Sequence, residues 1–284
     1  MSIKIIECPR DAMQGFDTPI SADDKIEYIN LLLKCGFDVL DCGSFVSPKA
    51  VPQMADTKLV LSSINKNLNN TELLCIVANE RGAKEASEIE NISILGFPFS
   101  ISESFQKRNT NHGIKETLSV LKSIIEICKK KNKKLVVYLS MGFGNPYGEP
   151  WSIDIALDYC SQLEKLGVKT ISLSDTIGMA TAKDIETLFK KCITQFPSIE
   201  FGVHLHTKPT NYLENISSAY KAGCRRFDSA IRGFGGCPFA TDKLMGNLPT
   251  ESLLEYLKSI NEEVSINESA FQTAYLKAAE VFKI

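Results

Sequence analysis

A short strand-like run followed by a helix-like segment recurs eight times along this chain, and that alternation restricts the fold more than any other feature. The runs are Ile3–Cys8, Val39–Gly43, Leu73–Val77, Ile92–Leu95, Leu135–Ser140, Thr170–Ser174, Phe201–His206 and Arg226–Ile231. They are rich in Val, Ile and Leu, as expected of strands covered on both faces in a parallel sheet. The segments between them carry helix periodicity and start signals. Ser21 precedes Asp24 by three residues, and Ile26, Ile29 and Leu33 then share a face before Gly36 stops the helix. Thr181 and Asp184 repeat the start ahead of Ile185, Leu188 and Cys192, while Ile114, Leu118, Leu121, Ile125 and Cys128 form a longer apolar stripe. Strands alternating with helices predict a parallel sheet, and a count of eight favours closure into a single (β/α)8 TIM barrel. An open doubly wound sheet would normally place G-x-G-x-x-G after its first strand, whereas Cys8-Pro9-Arg10-Asp11 stands there. With 284 residues, no linker and no low-complexity tract, one barrel domain over 1–284 is expected.

Charge and cysteine content exclude several function classes. A net charge of −2 with both signs interspersed offers no footprint for nucleic acid or an anionic membrane. No apolar stretch reaches the length of a membrane span, and the run Lys129–Lys134 reads as a solvated helix end. The nine cysteines are scattered and form no C-x-x-C pair; with no secretion signal, they predict reduced thiols in the cytoplasm.

In a barrel, chemistry gathers at the carboxyl ends of the strands. Glu7-Cys8-Pro9-Arg10-Asp11 closes strand one and Gly202-Val203-His204-Leu205-His206 closes strand seven. Gly233-Phe234-Gly235-Gly236-Cys237-Pro238 follows strand eight, with Gly246-Asn247 beyond it. Strands one, seven and eight are neighbours once the barrel closes. His204 and His206, two of three histidines, project to one face at i and i+2, as a shared metal requires. Asp11 and Asn247 add an oxygen each, and such a mixed set with open positions suits Mg²⁺, Mn²⁺ or another octahedral divalent ion. Arg10 serves either as an ion-pair partner beneath the rim or as a fixed cation for a developing oxyanion. Cys237 is either a buried structural thiol or, within G-x-G-G-C-P, an accessible reactive one. Asp175 and Asp41, each at a strand end, are turn residues or active-site carboxylates; Glu251, at a helix start, is weighed against a simple charge–dipole role.

These residues resemble the 3-hydroxy-3-methylglutaryl-CoA lyases, within the metal-dependent barrel lyases and Claisen-condensing synthases. The likeness runs from Glu7 to about Leu257. It is carried by Pro9-Arg10-Asp11 with Gln14, Ser44-Phe45-Val46-Ser47-Pro48-Lys49, Val51-Pro52-Gln53-Met54 and Ser102-Glu103-Ser104-Phe105. Asp175-Thr176-Ile177-Gly178, Gly235-Gly236-Cys237-Pro238 and Gly246-Asn247-Leu248 complete it. The resemblance implies that Asp11, His204, His206 and Asn247 hold Mg²⁺ or Mn²⁺. It implies that Arg10 and Cys237 are catalytic, with Asp175, Asp41 and Glu251 as further catalytic carboxylates and Arg10, Gln14 and Ser44 against substrate.

The reaction so implied is a retro-Claisen cleavage of an acyl-CoA substrate. The metal binds a tertiary hydroxyl and terminal carboxylate, and loss of the hydroxyl proton leaves acetoacetate and the enolate of acetyl-CoA. A homodimer acting in leucine degradation and ketone-body metabolism follows from the same resemblance. Nearby alternatives are a lyase for a related 3-hydroxyacyl-CoA, an acyl-CoA/2-oxo acid condensing synthase, an aldolase, and a catalytically silent barrel used as a binding module. The chain departs from the family pattern at Asp41, where Glu is usual, and at Thr207-Lys208-Pro209-Thr210, where Asp-Thr-Tyr-Gly is. It also departs in Gly142–Gly148 and at Arg232, a position usually small and apolar.

Overall fold

In the computed structural model, which describes residues 2–65, 70–208, 210–236 and 245–283, the eight runs form eight strands. They are β1 (Lys4–Glu7), β2 (Val39–Ser44), β3 (Glu72–Ile76), β4 (Ile92–Ser100), β5 (Lys134–Ser140), β6 (Thr170–Asp175), β7 (Glu200–Thr207) and β8 (Arg226–Ser229). Each pairs in parallel with the next, and β8 pairs with β1, so the sheet closes into the expected (β/α)8 barrel. The helices are α1 (Pro9–Gln14), α2 (Ala22–Cys35), α3 (Thr57–Ser63), α4 (Glu80–Ser87), α5 (Glu103–Thr110) and α6 (Ile114–Lys131). They continue with α7 (Ile153–Lys165), α8 (Ala182–Gln195), α9 (Tyr212–Lys221), α10 (Thr250–Ser259) and α11 (Glu268–Val281). No helix among the described residues is long and apolar enough to cross a membrane.

The predicted helix signals act as read. The Ser21 hydroxyl accepts Asp24 N–H at 3.1 Å, Gly36 ends α2 at φ 85°, and Thr181 accepts Asp184 N–H at 3.1 Å. Strand four is longer than its sequence suggests, because Gly96 and Pro98 break the apolar run. On the β3 side β4 is paired only to Gly96, yet against β5 it continues through Pro98↔Tyr138 to Ser100↔Ser140. A ninth strand, β9 (Gly246–Asn247), runs antiparallel to β7 and sets Asn247 opposite His206.

The barrel interior is divided. Ile6, Val39, Leu74, Ile76, Ile94, Val136 and Tyr138 form an apolar cluster on the β1–β5 side. On the β6–β8 side the buried residues include Ser172, Ser174, His204, His206 and Asp228. A much larger apolar core lies between strands and helices and supplies most of the hydrophobic stabilisation. The polar wall therefore sits on a rigid, fully packed frame.

Candidate metal and acyl-CoA site

Asp11 arrives first at the rim. Pro9 opens α1 with a φ suited to a first helical position, which turns the chain sharply at the end of β1 and leaves Asp11 in the first helical turn. Its Oδ1 accepts from Arg10 Nη1 and from Gln14 Nε2, both at 2.8 Å, and its Oδ2 accepts from Asn247 Nδ2 at 2.7 Å. Burial works against the ionised form, but Arg10 and the histidines outweigh it and hold the carboxyl well below its usual range.

The two imidazoles meet as the i, i+2 spacing requires: His204 Nε2 lies 3.3 Å from His206 Nε2, and His206 Nε2 lies 3.7 Å from Asp11 Oδ2. Their other nitrogens are fixed from behind. His206 Nδ1 is 2.8 Å from the Thr176 carbonyl oxygen, which can only accept, so that nitrogen carries the hydrogen and Nε2 presents a lone pair. His204 Nδ1 faces Asp228 Oδ2 at 3.3 Å and takes the same tautomer by the same reasoning. Burial alone would lower the His204 pKa; the Asp228 hydrogen bond and the Asp11 charge raise it.

Two lone pairs converging beside an ionised carboxylate repel each other unless a cation serves both, so this donor set fits a metal ion. Ligand atoms of Asp11, His204 and His206 all lie within 4.8 Å of one another. Asn247 reaches the cluster through its NH₂ group, which also donates to the Phe234 carbonyl at 2.8 Å. A second group, Cys8, His204 and Asp228, is equally close and shares His204.

Arg10 is an ion-pair residue and a rim residue at once. Its Nε lies 3.2 and 3.1 Å from the two Asp41 oxygens, and Nη2 also donates to Asp41. Burial would lower the guanidinium pKa, but the two flanking carboxylates raise it, so the charge is permanent. Burial pushes the Asp41 carboxyl up to about 6 against the pull of Arg10. Arg10, Asp11, Gln14, Ser44, His204 and His206 line one cavity of about 100 Å³, with Ser140, Ser174 and Thr176 as further polar walls.

The remaining candidates divide. Both oxygens of Asp175 accept backbone N–H groups, from Met179 at 2.9 Å and Ala180 at 2.8 Å, which is the turn role left open by the sequence. Burial raises its pKa despite those bonds. Glu251 accepts the Arg232 N–H at 3.0 Å, and burial raises its pKa. Cys237 lies outside the described residues. The glycines before it are explained: a side chain at Gly235 (φ 105°) would strike Asn247 Nδ2 at 2.5 Å and Asp11 O at 2.6 Å. Asp228, which orients His204, escaped the sequence reading, and Thr176 entered it only as part of a motif, without its carbonyl's role in orienting His206. The one available signal for Asp228 was a carboxylate two positions from Arg226 in strand eight, hence on the same face.

A larger cavity of about 370 Å³ opens at the other end of the barrel, lined by Lys4, Glu72, Lys134, Glu200 and Arg226. Its lysines are paired with Glu200 and Glu72, and the histidine cluster lies elsewhere.

The HMGL-like family model matches residues 3–276. A hydroxymethylglutaryl-CoA lyase of Bacillus subtilis is 31% identical over 91% of this chain and 85% of its own length. A Pseudomonas aeruginosa 3-hydroxy-3-isohexenylglutaryl-CoA/hydroxy-methylglutaryl-CoA lyase is 30% identical over 96% and 90%. An HMG-CoA lyase of Acinetobacter baumannii, solved with coenzyme A and 3-methylmalate, superposes with a TM-score of 0.92 at 28% identity, covering 99% of this chain and 92% of that one. Fold, rim residues and these matches agree that the chain belongs to the HMGL-like family, alongside the HMG-CoA lyases.

Proposed function

We propose that the protein is a hydroxymethylglutaryl-CoA lyase, a carbon–carbon lyase that cleaves 3-hydroxy-3-methylglutaryl-CoA to acetyl-CoA and acetoacetate. The observation that carries this reading is the convergence of Asp11, His204 and His206 within 4.8 Å, beside Arg10, at the barrel rim of a family member. Asp11, His204, His206 and, after its amide oxygen turns inward, Asn247 would hold Mg²⁺ or Mn²⁺. Such an ion supplies a Lewis acid for the substrate's hydroxyl and carboxylate oxygens.

The chain's own residues do the rest. The Asp41 and Asp11 carboxylates lock the Arg10 guanidinium at the cavity wall, a fixed positive charge for the thioester carbonyl oxygen that gains negative charge as the C2–C3 bond breaks. Gln14 and Ser44 line the same cavity and orient the substrate. Asp175 holds the turn after β6 and with it the Thr176 carbonyl that fixes the His206 tautomer, a positioning part. Glu251 anchors the start of the glycine turn through Arg232 N–H. Cys237, which follows Gly236 in the sequence, would pass a proton to the enolate carbon of acetyl-CoA as the substrate hydroxyl gives one up, so that no net proton is exchanged. The eight described cysteines are free and buried, in keeping with a reducing, cytoplasmic setting.

The test is to incubate the metal-loaded protein with 3-hydroxy-3-methylglutaryl-CoA and assay acetyl-CoA and acetoacetate. Equal amounts of both, lost on chelation, are expected. Metal binding without either product overturns the reading. Cys237→Ser should lose most of the turnover with an unchanged melting curve; full turnover would remove the thiol from the chemistry.

A further inference from the structure

We infer that Arg232 is a positioning residue that ties α11 to the rim, so that the C-terminal helix sets where Asn247 and Glu251 stand. Arg232 has φ 63° and ψ 9°, a left-handed conformation that costs energy for any residue with a Cβ and is kept only where surrounding contacts over-determine it. Three such contacts exist. Its backbone N–H donates to Glu251 Oε2 at 3.0 Å, its Nε donates to the Tyr275 carbonyl at 3.1 Å, and its guanidinium carbon lies 3.9 Å from the centre of the Tyr275 ring.

Two residues on, the link repeats. Phe234 stacks on Phe282, just past the end of α11, at 4.3 Å and 27°, while its carbonyl accepts Asn247 Nδ2. α11 is itself seated on α2: Lys277 pairs with Glu27, and Phe282 meets Tyr28 edge-on. The turn Arg232–Gly235 is thus gripped from outside by the Tyr275 ring of α11 and the Phe282 ring just past its end, and touches, from inside, the Asn247 amide and the Glu251 carboxylate of the proposed site. A side chain too short to reach Tyr275 could make neither side-chain contact. The inference rests on the site reading above but not on the identity of the acyl group.

Mn²⁺ affinity of the metal-free protein, read by titration, tests it apart from turnover. Arg232→Gly removes the backbone strain together with the two side-chain contacts, so a purely structural role predicts a change confined to the melting temperature and an unchanged Kd. Positioning predicts a Kd about tenfold weaker or more, within the range for groups that orient metal ligands. Tyr275→Leu, which removes the ring, should weaken Mn²⁺ likewise, and Tyr275→Phe, which keeps the ring, should bind as the wild type does. The pair gives the answer even where Arg232→Gly does not fold. Unchanged Kd in folded Arg232→Gly or Tyr275→Leu overturns the inference and leaves the lyase reading standing. A wild type that binds Mn²⁺ yet cleaves no 3-hydroxy-3-methylglutaryl-CoA overturns the lyase reading, and the Kd series still decides this one.

Discussion

At the mouth formed by the strand starts, Lys4 pairs with Glu200 and Lys134 with Glu72, every side chain a third or more exposed. At the opposite rim Arg10, Asp11 and Asp41 are joined with side chains at most 7% exposed. Water screens the first set, so each pair adds little and either partner can be lost cheaply. The second set was desolvated on folding, and each member is tolerable only because the others are present. An apolar filling would hold the barrel together equally well there; the charge at the rim marks a place selected for chemistry.

Removing Arg10 should break this contrast most severely. Arg10→Met strands Asp41 in the interior, and we expect a loss of about 3–5 kcal/mol in urea unfolding. Turnover at saturating metal should fall about 10²–10³-fold. A variant within about 1 kcal/mol of wild type would mean that Asp41 is not committed to its partner.

A smaller effect comes from Glu7, beneath the rim, whose oxygens accept Ile231 N–H and the Thr250 hydroxyl. Burial pushes its carboxyl up to about 8 from an ordinary 4.5, despite those bonds. The folded state therefore favours the protonated form. That stabilisation is complete below pH 4.5 and is lost as pH rises towards 8. The melting temperature should fall across this window, and Glu7→Gln should flatten the slope; an identical slope in the variant would assign the pH dependence elsewhere.

The smallest change belongs to the other mouth. Lys4→Met should shift the melting temperature by less than about 2 °C and leave kcat alone. A large loss of activity there would end the division of labour drawn between the two ends.

The strands were legible because buried Val, Ile and Leu repeat in short runs, and the histidine pair because a period of two needs no tertiary knowledge. Failure came where a residue's meaning depends on a distant neighbour. Nothing local in Gly246-Asn247 announces a strand, since two residues have no period; β7 supplies the partner. Pro98 looks like a stop until β5 is alongside. Asp41 and Asp175 could not be sorted from sequence, because one is defined by the Arg10 fork and the other by N–H groups four and five residues on. Asp228 becomes a histidine orienter only once β7 and β8 are paired.

The hydrogen bond from Asn247 to Asp11 spans 236 residues. During synthesis, therefore, a chain halted short of Asn247 has a carboxylate and two imidazoles in hand but no amide to finish the grip. If the proposed ion also takes the Asn247 amide, its binding free energy is complete only in the finished molecule, and the cation would then favour the fully made chain by mass action.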